Sequence, residues 1–203
     1  MKDSLTHRLN QILPKLTSDD FLSARGIGNE IAFYIFDYAP EDELHIREHI
    51  RFLVDHLPKK RPGLRVTHVN LFDFLLHYLK ERSLLEKSFR LQREKGNAAL
   101  LKALKGILHE EKIAQRFADI AKPAEHDLVL VSGVGGAYPL LQSHTLLSNL
   151  HAIMGQTPLV MFYPGSYDTQ TLRLFGKTGL TDGSAEEHKR KTNYRSSEKE
   201  SEK

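Results

Sequence analysis

The chain has no cysteine, which removes disulfides and thiolate metal sites from consideration and fits a reducing cytoplasm. It also lacks any stretch near the roughly 20 consecutive apolar residues that a membrane span requires, so no membrane association is expected. Neither sign of charge dominates. Its 29 Lys and Arg stand against 26 Asp and Glu, a net +3, which describes a mixed surface rather than the basic stripe of a nucleic-acid binder. The opening "MKDSLTHRLNQILPKL" has no unbroken apolar centre of the signal-peptide kind. Asp3, Arg8 and Lys15 among spaced apolar residues describe an amphipathic helix instead.

Complete catalytic signatures are missing too. A P-loop needs Gly-Lys-Ser or Gly-Lys-Thr after an earlier glycine, and "FGKT" (Phe175 to Thr178) has no such glycine at the right distance. A dinucleotide loop needs a third small residue where this chain carries Tyr138. No catalytic residue, metal ligand set or cofactor is therefore assigned.

What the 203 residues do hold is a set of apolar runs sufficient for one core, 40% of the chain being hydrophobic. "GNEIAFYIFDYAP" is apolar on both alternating faces, which predicts a strand in the middle of a sheet. Glu41, Asp42 and Glu43 then open a helix running to Pro58. A short strand over Leu64 to Asn70 passes into helices from about Phe72, with Gly96 breaking their periodicity, and a further helix "HEEKIAQRFADIA" ends at Pro123. "HDLVLVSG" and "TPLVMFYPG" are two more strands, separated by an apolar helix that Pro139 is placed to start. The expectation is an α/β, three-layer domain over residues 1–180, with a mainly parallel sheet of four or more strands and a helical central insertion. Thr181 to Lys203 has no large aliphatic residue and is expected to be a charged, disordered tail.

Two glycine-bearing segments, "SGVGGAYP" and "YPGSYD", follow strands and should share the sheet's carboxyl edge, where α/β proteins bind ligands. Gly133, Gly135, Gly136, Gly165 and Asp168 are the candidate phosphate or ligand residues, set against the plainer reading of strand-to-helix turns. Asp37 and Asp73 also lie near strand ends, with Asp37 and Asp168 on the expected ligand edge. His45 and His49, with Glu41 a turn earlier, have a spacing able to clamp a metal, although exposed helix histidines are commoner than ligands. His144 and His151 share a helix face, where packing or capping is the simpler role. Lys59, Lys60, Arg61 and Arg65 form the one basic cluster, a candidate DNA contact whose plainer reading is a solvated loop.

"FLSARGIGNEIAFYIFDYAPEDEL", "HVNLFDFLLHYLKERSLLEK", "EHDLVLVSGVGGAYPLLQSHTLLSNLH" and "TPLVMFYPGSYDTQTLRLFG" together resemble the BrxB family, a small component of bacterial BREX phage-defence systems. The resemblance runs from Phe21 to Gly176. It implies a cytoplasmic part in a multi-protein complex, alongside an alkaline-phosphatase-like PglZ protein and a large BrxC-like ATPase, and no known catalytic activity. The function expected is thus a non-catalytic adaptor, with direct DNA binding weak or absent. The alternative is a degenerate nucleotide- or phosphate-binding α/β domain with a regulatory or phosphoester-processing role.

Overall fold

The computed structural model describes residues 4–23, 33–150, 153–168 and 171–175. Helix α1 (Leu5–Leu16) starts where the Ser4 hydroxyl accepts from the His7 amide, as the amphipathic pattern requires, and α2 (Asp19–Ser23) follows. Strand β1 (Phe33–Tyr38) leads through a short 3-10 turn at Pro40–Asp42 into α3 (Glu43–Lys60), which continues two residues beyond Pro58. Next come β2 (Val66–Asn70), α4 (Leu71–Glu81), α5 (Leu85–Lys105) and α6 (Glu110–Ala121). Gly96 interrupts α5 with φ 78°, a left-handed value that glycine adopts freely, which accounts for the break in periodicity.

Strand β3 (Leu128–Ser132) is followed by a single helical turn, α7 (Val134–Ala137), then α8 (Ser143–Leu150), β4 (Leu159–Tyr167) and β5 (Leu172–Leu174). The sheet order is β1-β4-β3-β2, all parallel, with β5 pairing antiparallel on the end of β4. Helices α4 to α6 form the helical insertion between β2 and β3. The α/β class, the mainly parallel sheet and the insertion are as the sequence predicts.

The sheet separates two apolar layers, as the pleat dictates. Val129, Val131, Leu159, Met161 and Tyr163 face Phe74, Leu75, Phe117 and Leu150 of the α4, α6 and α8 side. Leu128, Leu130, Val160 and Phe162 face Ile12 and Leu16 of α1 and Ile46, Ile50, Leu53 and Leu57 of α3. Burying each such leucine fully contributes roughly 1.5–3 kcal/mol.

Three expectations are corrected. Strand β1 lies at an end of the strand order rather than in the middle, pairing with β4 alone among the described residues. Both its apolar faces are covered: on one the Tyr34 ring lies 4.6 Å from that of Phe21 and the Arg8 guanidinium sits 4.5 Å over Phe36, and on the other Phe33 and Ile35 pack against the α4, α6 and α8 side. Pro139 does not start the crossover helix. Tyr138, just before it, is extended (φ −71°, ψ 140°), because the proline ring disfavours helical backbone in its predecessor, and α8 begins only at Ser143. Finally, "YPGSYD" is mostly strand: Gly165, Ser166 and Tyr167 extend β4 and pair with β5. The tail from Thr181 lies outside the described residues.

Candidate functional site

At the carboxyl edge, β2 ends in Asn70 and the neighbouring β3 ends in Ser132, the two residues being in register. The Asn70 Oδ1 caps α4, accepting from the Phe72 amide at 3.0 Å and the Asp73 amide at 3.3 Å. Gly133 follows Ser132 with φ 71°, and a Cβ there would stand 2.0 Å from the same Asn70 oxygen. Glycine is thus required both by the backbone and by the close approach. A Cβ on Gly136 would meet Phe72 at 3.3 Å, and one on Gly135 would lie 3.1 Å from Phe175 and from Pro164. On β4, a Cβ at Gly165 would fall 2.1 Å from the Arg173 carbonyl oxygen. The structure therefore brings the two glycine segments together, as expected, and packs both against the chain itself. Asp168 accepts from the Thr171 amide at 2.7 Å and pairs with Arg173 at 3.3 Å.

Gly133 and Gly136 also line an open cleft of about 730 Å³ between α3 and α4, over the end of β2. On its floor the His68 Nε2 lies 2.8 Å from the Ser132 Oγ. Both side chains point to the α3 side of the sheet, since His68 is in register with Leu130, which packs on that face. Protein crowds the imidazole although one side opens on the cleft. Its pKa is held below the ordinary 6.5, first by loss of solvent, with the Asp73 carboxylate pulling weakly the other way. A neutral imidazole can accept the serine proton. Arg47, Arg51, His77 and Glu81 complete the polar wall, and Phe72 and Ile120 form an apolar rim. Arg47 is held by Glu43 at 2.8 Å and Glu81 by Arg116, whereas Arg51 has no ion pair among the described residues.

The remaining candidates are dispersed. Asp37, at the end of β1, accepts from Arg8 at 2.6 Å and from the Tyr167 amide at 3.3 Å, so it adjoins the β4–β5 turn. Asp73 lies at the opposite end of the strand order, in the cleft. His45 is exposed, and the buried Nε2 of His49 has no hydrogen-bond partner among the described residues. Burial keeps His49 below the ordinary 6.5. Among the described residues no group of three His, Asp or Glu is placed to hold a metal ion. His144 lies in α8, and His151 is outside the described residues. Of the basic cluster, Lys59 and Lys60 are exposed in the last turn of α3. Arg61 binds the Thr17 carbonyl at 2.9 Å and Asp19 at 2.7 Å. Arg65 grips Asp127 through two nitrogens at 3.1 and 2.8 Å, and Asp127 is held below the ordinary carboxyl range by that contact.

Sequence reasoning missed His68, Ser132 and Arg51. The available signal was a polar residue at the end of each of two apolar strands, His68 with Asn70 and Ser132, which the glycines beside them overshadowed.

The arrangement defines a parallel α/β domain with its polar cleft at the carboxyl edge and no complete catalytic motif. The family model for "BREX protein BrxB" matches residues 67–184. Two curated relatives carry the same description. The protein from Bacillus cereus (strain H3081.97) is 39% identical over 177 residues, covering 85% of this chain and 91% of the relative. That from Escherichia coli O9:H4 (strain HS) is 40% identical over 175 residues, covering 86% of each. The chain belongs to the BrxB family, and its role lies in BREX phage defence. No solved structure matches it significantly. No helix among the described residues is long and apolar enough to cross a membrane.

Proposed function

We propose that this chain is a non-catalytic adaptor that docks a PglZ-like protein and a BrxC-like ATPase within a cytoplasmic BREX complex. Family membership gives the setting. The observation that carries the adaptor reading is the fate of the glycine loop: Asn70, Phe72, Pro164 and Phe175 occupy the space that its missing side chains leave. A loop so filled serves as a packed turn, and the surface beyond it is free for protein contacts. Leu44, Phe52 and Phe89 supply exposed apolar area of the kind that anchors such contacts.

Co-purification with each neighbouring gene product tests this. Association with the PglZ-like partner should survive moderate salt, because apolar and mixed contacts are screened little. Failure to bind any BREX component at micromolar concentration overturns the reading.

The phosphate-binding alternative draws on Arg51 beside Gly133 and Gly136 in the cleft. Calorimetry with ATP and magnesium at millimolar concentration separates the two readings. The adaptor alone gives no heat.

A further inference from the structure

The hydrogen-bonded pair on the cleft floor has a chemistry that the adaptor role does not use. Ser132 stands at the end of a buried strand, and its hydroxyl is 2.8 Å from the His68 Nε2. A serine hydroxyl is a weak nucleophile until a neighbouring base takes its proton. His68 meets the requirement of geometry, and its environment favours the neutral, proton-accepting imidazole. Asp73, in the first turn of α4, supplies the carboxylate that steadies an imidazolium once it forms. The charged and titratable groups lining the same cleft are Arg47, Arg51, Asp73, His77 and Glu81. Its volume of about 730 Å³ suits a small molecule.

We propose that Ser132 is an acyl-accepting nucleophile, with His68 as its base and Arg51 as the anchor for an acyl ester that carries a carboxylate or phosphate. The Ser132 Oγ attacks the carbonyl carbon while its proton passes to the His68 Nε2. The tetrahedral intermediate collapses, the carbon–oxygen bond of the ester breaks, and the departing alkoxide takes the proton from His68. The product is an O-acyl serine inside the cleft with a neutral imidazole beside it. No oxidant or further reactant is needed. The adaptor role does not depend on this step, since the docking it describes involves no bond making.

The test treats the full chain with p-nitrophenyl succinate, follows nitrophenol release, and maps the adduct by mass spectrometry. The expected result is a succinyl group on Ser132 that is absent from Ser132→Ala. His68→Gln, which keeps a hydrogen-bonding side chain but no base, should slow acylation at this site by about 100-fold or more. Arg51→Ala should cost about tenfold with the succinyl ester and nothing with the uncharged p-nitrophenyl acetate. The rate in the unaltered chain should rise with a midpoint below pH 6.5 and stay flat at higher pH, where the imidazole has lost its proton. The proposal is overturned by the absence of a Ser132 adduct, or by an unchanged rate in His68→Gln. If that variant fails to fold, the pH profile decides: a rate that climbs with hydroxide to about pH 9 without a bend equally overturns it. An Arg51→Ala variant that treats both esters alike overturns the anionic anchor.

Discussion

Gly133 and Asn70 are locked together: the Asn70 side-chain oxygen Oδ1 that caps α4 occupies the position a side chain on residue 133 would need, 2.0 Å from where its Cβ would stand. One contact thus joins the end of β3 to the start of the helix after β2. Gly133→Ala combines left-handed backbone strain of about 1–2 kcal/mol with a steric clash of about 1–3 kcal/mol, and should destabilise the fold by roughly 2–5 kcal/mol. Asn70→Ala removes the cap at a cost of about 1 kcal/mol but opens the space. Urea titration of both single variants and the double variant should show the double losing less than the sum, because the clash is gone.

Gly135→Val tests the packed turn one residue further on. The first carbon of its side chain meets Phe175 and Pro164 at 3.1 Å, and the two methyls need more room still. Overpacking of this kind costs about 1–3 kcal/mol, so the melting temperature should fall by several degrees. A variant that melts with the parent shows that the Phe175 ring can swing aside.

Two histidines set a pH dependence. Burial lowers the pKa of both His49 and His68 below the 6.5 of an unfolded chain. The unfolded state therefore binds protons first as pH falls, and folding stability is lost below about pH 6.5 until the folded pKa values are reached. Above that pH these groups are neutral in both states and contribute no slope. Denaturant titrations at pH 7.5 and 5.5 should give a lower stability at the acid value, and His49→Phe should reduce the difference. An identical slope in that variant removes His49 from the account.

The basic cluster has little charge to offer a duplex. Arg61 and Arg65 already hold Asp19 and Asp127, which leaves Lys59 and Lys60 as its exposed cations without an ion pair among the described residues. Few phosphates can be neutralised, so binding should be weak, indifferent to sequence and lost on going from low to physiological salt. Fluorescence anisotropy with a labelled duplex measures this. Replacing all four residues by serine should leave phage protection intact; loss of protection with folding and partner binding intact would make the loop a DNA contact.

The strands and the insertion were legible because long apolar runs announce themselves by period and length. The rank of a strand within its sheet is not written in that period. β1 reads as central because both faces are apolar, yet Phe21 and Arg8 cover one of them from the helical layer. The β4–β5 pairing was hidden because Pro164 and Gly165 are turn formers by composition, and it takes the pairing of Pro164 with Tyr38 and of Gly165 with Leu174 to make them strand. The glycine loop was visible as an anomaly, but its explanation lies in Asn70, more than 60 positions earlier. The Ser132–His68 pair depends in the same way on the register of β2 with β3, a relation between two segments that neither discloses alone.

The register that sets Phe33 against Leu159 also imposes a timetable. β1 leaves the ribosome early and must wait for a neighbour well over a hundred residues downstream. At roughly 5–20 residues per second that delay is on the order of 10 s, far longer than a hydrophobic collapse. During it Tyr34 and Phe36 have the helices of their own face, α1, α2 and α3, to shelter them, while the insertion helices can mature on local contacts. The helices on that face thus act as the strand's first custodian, and the pairing of β1 with β4 closes the sheet only after them.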